Sequence, residues 1–535
     1  MVLKGNPMIT LETIYEDVFA GFSPDYPMVE YYVGDEKRLM YAKDFKNKTK
    51  AVGAFLEKAL EGVEKGRWIG LKYPTHPLWM NVFYGLAMIG YKVMLLDEGA
   101  TPLYVRNAVE LGRLAAIVGT RGEDFPVVSI PFEDAVAAEA GEPSSTAWES
   151  IMCLCTSGTT GSAKAVVFQA KTLTRIQRTV RCTIFGNPFT MRSAENLDIE
   201  QMRMMATLPM RHVFGFQAPS VFVGFGCTLV FPKNPGVLEM VRTIREEKIW
   251  TTYGVPAVWK SIFNVYRNKV GGVGRESFSD FFGEQFRHGL IGGTKIDEEL
   301  AAFVGTIDFC MGNAYGSTET GGCIALGFLN DVKSMEGPAG YSGQLFNAHA
   351  AGVIVEDDSW QPQGMGELAV TGKNIADGFL REGEFVSRQE VHGELYRTGD
   401  VFQIRGDDFY CVGRVDNMIL NDAGENIYVE ELEEDFELLR DKVGQYCAVG
   451  FEGRPVLALF RPASDEGALI REILQVNNRL PHYKRIELVF VTAGPLPSTS
   501  KQEVDRNAVS ISLTEWNAGA GGVRKYNMRK GGVKE

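Results

Sequence analysis

Two glycines, five hydroxyl side chains and a lysine crowd residues 156–164, Thr-Ser-Gly-Thr-Thr-Gly-Ser-Ala-Lys, directly after the apolar run 151–155. Gly158 and Gly161 let neighbouring backbone N–H groups turn inward with no Cβ in the way. Thr156, Ser157, Thr159, Thr160 and Ser162 add hydroxyls, and Lys164 adds a positive charge. Amides gathered in this way form a concavity for an anion, and phosphate fits it. The Walker A loop requires Gly-x-x-x-x-Gly-Lys-Ser/Thr, with the last hydroxyl on Mg²⁺. Here the glycines stand three apart and Ala165 follows Lys164, so the pattern is not met. A flexible linker is disfavoured too, because apolar runs at 151–155 and 165–168 frame the loop like buried strands.

Five later segments carry further chemistry. His212 stands in Leu208-Pro-Met-Arg-His-Val-Phe-Gly215. Gly312-Asn-Ala-Tyr-Gly-Ser-Thr-Glu-Thr320 offers Tyr315 to stack on a purine, a glycine at 316, and oxygen donors for Mg²⁺ in Thr318 and Glu319. Asp400 closes Tyr396-Arg-Thr-Gly-Asp and can accept both hydroxyls of a ribose. Gly413-Arg-Val-Asp416 supplies Arg414 for phosphate or ribose and Asp416 as a hinge candidate. Pro495-Leu-Pro-Ser-Thr-Ser-Lys501 ends on a lysine suited to neutralising a carboxylate and a phosphate together. Taken singly, these are a core histidine, polar turns, a linker and a solvated lysine. Their order along the chain is what carries weight.

That order resembles the adenylate-forming (AMP-binding) superfamily: acyl- and aryl-CoA synthetases, peptide-synthetase adenylation domains and beetle luciferases. The resemblance implies two steps. A carboxylate attacks the α-phosphate of Mg-ATP, giving acyl-adenylate and pyrophosphate, and a thiol then displaces AMP. It implies that Thr156, Ser157, Gly158, Thr159, Thr160, Gly161 and Lys164 cradle phosphates. Gly292, Gly293, Tyr315 and Gly316 would line the adenine pocket. Thr318 and Glu319 would serve phosphate and Mg²⁺, and Asp400 with Arg414 would hold the ribose. Lys501 would bridge the attacking carboxylate and α-phosphate, His212 would border the acyl pocket, and Asp416 would be the hinge. Around the last motif the chain departs from the family pattern, with Ser500 before Lys501 and Arg506 five residues after it; Lys525 and Lys530 are alternative lysines.

The thiol implied is coenzyme A, with a carrier-protein thiol acting in trans as the alternative; a non-catalytic nucleotide-binding homologue is a third reading. Amino-acid-activating members place an Asp soon after the His212 motif. Residues 215–224 contain no acid, so an amine-free acid and a largely apolar pocket are expected, with Phe214, Phe216, Gln217 and Met311 as candidate lining.

These residues need elements to hold them. Apolar periodicity predicts a helix over 45–60, strands at 68–71 and 92–96 around a helix at 79–89, then a strand at 228–231, a helix at 238–247 and a strand at 250–253. This βαβ rhythm predicts an α/β fold with a parallel sheet. Shorter glycine-bounded strands predict a small β subdomain at about 340–412 within an N-terminal domain 1–412. A hinge at 413–416 and a mobile α+β C-terminal domain 417–535 follow. There a helix over 428–443, strands at 445–451, 456–460 and 487–491, and a flexible tail from 517 are expected.

At 535 residues the chain exceeds a single core. Its net charge of −13 argues against nonspecific binding to nucleic acid or anionic membrane. The eight cysteines form no C-x-x-C pair and do not combine with the six histidines at metal spacing. With no signal-like N-terminus and no run of 18 apolar residues, a cytoplasmic protein without a membrane span is expected. The oligomeric state is left open.

Overall fold

Short buried strands alternate with helices along the first part of the chain, and the pairing of those strands places the motifs. The computed structural model describes residues 23–149, 151–157, 163–195, 197, 202–270, 274–293, 296, 298–307, 309–330, 340–346, 349–355, 359–420, 426–452, 454–460, 466–499, 504–529, 531 and 533–534. They divide into two units. The first comprises residues up to 351 with 370–396 and 406–410. The second comprises 352–369, 397–405 and the residues from 411 onward.

The first unit is an α/β layered structure with two large sheets. In one, the strands Val128–Pro131, Ala116–Gly119, Trp68–Lys72, Lys92–Leu95 and Ile151–Ser157 lie side by side and parallel. Ala163–Gln169 then turns back antiparallel, and Gly378–Arg381 and Glu384–Ser387 complete the eight strands. Parallel neighbours need a crossover. The helix Trp79–Met88 provides one, and every residue in it is buried: it is apolar on nearly every side, and its Asn81 donates to the Phe45 carbonyl and Thr49 Oγ1. In the other sheet, Pro27–Val33, Thr228–Val230, Arg203–Met205, Thr251–Gly254, His288–Gly292 and Cys310–Ser317 run parallel in that spatial order. Gly322–Phe328 folds back antiparallel on the last of them, followed by Tyr341–Leu345. The expected elements of this half stand within a residue or a few of their predicted bounds, as with Ala42–Ala59 and Val237–Glu246.

The second unit contains a five-stranded sheet in the order Gln445–Phe451, Arg454–Phe460, Leu488–Thr492, Arg524–Asn527, Val533–Lys534. Its alternating residues feed two cores. Leu457, Leu459, Val489 and Val491 pack with Leu469 and Ile473 of the helix Glu466–Arg479. Val456, Ala458 and Phe490 pack with Val509 and Leu513 of the helix Arg506–Asn517. This is the period-2 alternation of a sheet covered on both faces.

Two expectations fail here. The helix foreseen over 428–443 stops at Asp435 and continues as a short 3₁₀ turn, Glu437–Leu439. The acids at 430, 431, 433, 434, 435 and 437 set like charges three and four apart, which opposes a longer helix. The glycine-rich tail is also not simply flexible. Arg524–Asn527 pairs with Leu488–Thr492, Tyr526 and Met528 are buried, and Arg524 holds Glu466 at 2.8 Å.

Candidate active site

The phosphate-cradle segment closes a hairpin. Ile151–Ser157 and Ala163–Gln169 pair antiparallel, with Cys155 opposite Ala165, Thr156 opposite Lys164 and Ser157 opposite Ala163. Cys153, Ala165 and Val167 are buried and anchor it. Gly158, Thr159, Thr160, Gly161 and Ser162 lie outside the described residues, and for Thr156, Ser157 and Lys164 only the backbone is described.

The segments around Gly292 and Tyr315 are built from close backbone approach. Gly292 lies opposite Ala314 in the parallel ladder. A Cβ on Gly292 would stand 2.4 Å from the Ala314 carbonyl oxygen, so only glycine lets this strand end pass the strand that carries Tyr315. Gly293 then turns with φ +91°. The register slips between Tyr315 and Gly316, and a Cβ on Gly316 would lie 1.5 Å from the carbonyl oxygen of Gly322.

Thr318 and Glu319 sit at the tip of the turn that follows. The Ser317 N–H donates to Thr320 Oγ1 at 2.8 Å, and the Gly321 N–H donates to the Thr318 carbonyl at 2.9 Å. Thr320 Oγ1 donates in turn to the Gly322 carbonyl at 3.1 Å, and Thr320 is fully buried. Neighbouring hydroxyls thus fix the turn, while Thr318 and Glu319 supply oxygen donors. Among the described residues no group of three or more His, Cys, Asp or Glu forms a metal cluster. Mg²⁺ is commonly held by one or two carboxylates with water and substrate phosphate, so this donor set fits an ion that arrives with a nucleotide.

A segment that sequence reading missed joins these pieces. The Ala376 N–H donates to the Glu319 carbonyl at 2.8 Å, and the Asp377 N–H donates to the Val167 carbonyl at 3.0 Å. The Asp377 carboxylate accepts from the Gln169 N–H at 2.7 Å and from Thr172 Oγ1 at 3.0 Å. Burial pushes the Asp377 pKa up, and these hydrogen bonds oppose the shift. Residues 376–377 therefore tie the cradle hairpin to the Thr318–Glu319 turn. Nothing in the local sequence Asn374-Ile-Ala-Asp377 signals this, because the partners are distant in the chain.

His212 is the N-cap of the helix Val213–Val223. Its ring meets Arg211, which pairs with Asp97 at 3.0 Å and with Glu98. One turn into the helix, Gln217 Nε2 donates to the Gly321 carbonyl at 3.1 Å and so reaches the same turn. The four candidate lining residues separate. Phe216 packs on Phe83 with ring centroids 5.2 Å apart, and Met311 is fully buried; both are core. Phe214 is half-buried against Tyr253, and Gln217 is buried beside the turn.

In the second unit, Arg414 pairs with Asp400 at 2.9 Å, with the arginine side chain 44% exposed and the aspartate 14%. Thr398 Oγ1 donates to the Leu368 carbonyl at 2.9 Å and accepts from the Asp400 N–H at 3.1 Å, which fixes the aspartate's backbone. Gly399 has φ +75°, and its N–H donates to Glu367 Oε1 at 3.1 Å. Asp416 lies in the short turn Val415–Asn417. The carboxylate of Glu430 braces both flanks of that turn. Asn417 Nδ2 donates to its Oε1 at 2.7 Å, and a Cβ on Gly413 would lie 2.5 Å from its Oε2.

Lys501 lies outside the described residues, as does Lys530. Lys525 is in the strand Arg524–Asn527, with Nζ donating to Asn517 Oδ1 at 3.2 Å. Arg506 opens the helix Arg506–Asn517 and pairs with Glu433 at 2.5 Å. Burial pushes the Glu433 pKa up, and the Arg506 guanidinium opposes that shift.

The AMP-binding enzyme family model matches residues 17–380. The medium-chain acyl-CoA ligase of Mus musculus mitochondria is 26% identical over 422 residues, covering 74% of this chain and 65% of the relative. The match thus spans just under two thirds of that relative's length. The o-succinylbenzoate CoA synthetase of Bacillus subtilis, solved with its acyl-adenylate intermediate, superposes with a TM-score of 0.77 at 20% identity, covering 94% of this chain and 98% of that one. The same synthetase solved with ATP and magnesium gives a TM-score of 0.74 at 21% identity, covering 93% and 98%. At that identity the superpositions speak for a shared fold. The family match over residues 17–380, more than half of the chain, shows that the chain belongs to the AMP-binding enzymes.

Proposed function

We propose that the protein activates a carboxylic acid with ATP and Mg²⁺ to an acyl-adenylate and then passes the acyl group to coenzyme A. The observation that carries this reading is the tie at Ala376–Asp377. It brings two motifs far apart in sequence, the cradle hairpin and the Thr318–Glu319 turn, to one place. The relatives add support, since the mouse protein is named an acyl-CoA ligase and the Bacillus enzyme was solved with an acyl-adenylate, and separately with ATP and magnesium.

Each residue has a physical task in this reaction. Residues 156–164 hold the phosphates that leave as pyrophosphate. Tyr315 stacks on adenine where Gly292 and Gly293 keep the strand end free of side chains. Asp400 accepts the ribose hydroxyls, with Arg414 beside it. Thr318 and Glu319 hold Mg²⁺ with the nucleotide, and the ion supplies charge neutralisation on the phosphates. Lys501 steadies the attacking carboxylate against the α-phosphate, His212 borders the acyl group, and Asp416 is the hinge for the domain from 417 onward. The chemistry is chiefly positioning and charge compensation.

Pyrophosphate exchange over a panel of carboxylic acids tests this, with coenzyme A then added to the hits. Exchange that needs both acid and Mg²⁺, followed by thioester, is expected. Exchange without thioester moves the second step to a carrier-protein thiol. No exchange with any acid leaves only nucleotide binding and ends the proposal.

A further inference from the structure

We infer that Gln217 reads a hydrogen-bond donor on the acid, so that the substrate of this protein carries a neutral hydroxyl or amide N–H along its acyl group. The inference rests on the adenylation reading and narrows it. Gln217 is 6% exposed and lies on the helix that His212 caps. Its Nε2 donates to the Gly321 carbonyl, which fixes the orientation of the amide and identifies the other atom as the carbonyl oxygen. That oxygen, Oε1, is buried and has no hydrogen-bond partner among the described residues.

A buried acceptor left unpaired is costly, and buried polar side-chain atoms are paired in the large majority of cases. A leucine or methionine would avoid that cost, although it would also take the donor away from the Gly321 carbonyl. A glutamine at this position makes sense where a ligand supplies the missing donor. The surroundings agree. Val213 and Phe214, in the first turn of the same helix, are apolar and half-buried. Facing that helix is Gly322, at φ +104°, where a Cβ would stand 3.6 Å from Val213 Cγ2 and 3.7 Å from Gln217 Cγ.

The partner is a neutral donor. An ammonium would call for a carboxylate, and the helix Val213–Val223 has none. An amide oxygen meets a hydroxyl or an amide N–H without unbalanced charge. The expected pocket is then apolar with one acceptor in it, rather than wholly apolar.

One competing account exists within the fold. Gln177 Nε2, on the neighbouring helix Ala170–Gly186, is also buried without a partner among the described residues, and the two helices pack together. An internal water shared by the two amides would satisfy both.

The test is pyrophosphate exchange with matched acids that differ by one hydroxyl: octanoic acid against its monohydroxylated isomers, and benzoic acid against the hydroxybenzoic acids. The wild-type protein should prefer one hydroxylated member by about 10- to 100-fold in kcat/KM. Gln217→Leu should bring the ratio of kcat/KM between the hydroxylated and the plain acid to about one, whatever happens to the overall rate. Gln217→Met repeats the measurement with an unbranched side chain should the leucine variant not fold. Gln177→Leu should retain the wild-type preference. Indifference of the wild type to the hydroxyl overturns the inference. So does a preference that survives in both Gln217 variants, or one that Gln177→Leu erases equally. Failure of every acid to support exchange instead overturns the adenylation reading itself.

Discussion

The Gly316 hairpin and the Asp400–Arg414 pair are each assigned a part of the nucleotide in the proposed reaction, yet they are built in opposite ways. The hairpin is held by backbone packed against backbone and by the fully buried Thr320, and no side chain can replace its glycines. The pair is a side-chain contact with a half-exposed arginine, an ion pair of the kind that contributes little to stability. A part that fixes where adenine and phosphate go benefits from being unable to shift. A part whose carboxylate must trade a guanidinium for ribose hydroxyls benefits from a contact that opens easily.

The sharpest way to break the comparison is Gly316→Ala. The added carbon meets a carbonyl oxygen that has no free end to swing away, so the hairpin must deform. Exchange activity should fall below detection, and denaturant melts should show a loss of about 3–4 kcal/mol. A variant with wild-type exchange would mean that the hairpin is less rigid than its packing implies. Next comes Lys501→Ala, which should lower adenylation by about 100- to 1000-fold. It should spare thioester formation from preformed acyl-adenylate, so an equal fall in both half-reactions would remove Lys501 from its assigned step.

A pH titration probes the rigid half independently. His288 stacks on Trp250 at 5.0 Å and contacts Thr251 Oγ1 at 2.7 Å, and burial pushes its pKa down to about 3. Below the ordinary histidine value near 6.5 the unfolded chain takes up a proton that the folded protein refuses. Stability is therefore full above that value and declines as the pH falls towards about 3, by at most a few kcal/mol. His288→Gln should flatten the slope of Tm against pH in that window, and an unchanged slope would place its origin elsewhere.

On the exchangeable side, Asp400→Asn should change stability by less than about 1 kcal/mol. Its effect should show instead as a rise of about tenfold in the KM for ATP, since a neutral amide is a weaker acceptor for two hydroxyls. A large loss of stability would show that the pair belongs with the rigid parts. The smallest effect is expected at Gly305, in the helix Glu298–Thr306, where a Cβ meets nothing within 4 Å. Gly305→Ala should raise stability by about 0.5–1 kcal/mol and leave exchange unchanged.

The same contrast marks what could be read from sequence. The strands Ile151–Ser157 and Ala163–Gln169 were legible because apolar runs on either side frame the glycine-hydroxyl loop, whereas their antiparallel pairing was not. The Tyr315–Glu319 segment was legible as chemistry, but its framing by Ser317 and Thr320 was not. The roles of Asp377, Gln217 and Glu430 were hidden, because each is fixed by a partner distant in the chain. The helix expected over 428–443 failed for another reason. Its apolar spacing was correct for Leu432, Phe436 and Leu439, all buried, while the run of acids cut the backbone short.

The strand Arg524–Asn527 has a practical consequence for anyone who shortens or tags this chain. Its composition suggests a dispensable appendage, yet it pairs with Leu488–Thr492 in the middle of the second unit's sheet. A version ending before it would bare the N–H and C=O groups of Leu488–Thr492 along an open sheet edge. Such an edge is a ready template for another copy, so the trimmed protein should be sticky and prone to precipitate rather than better behaved.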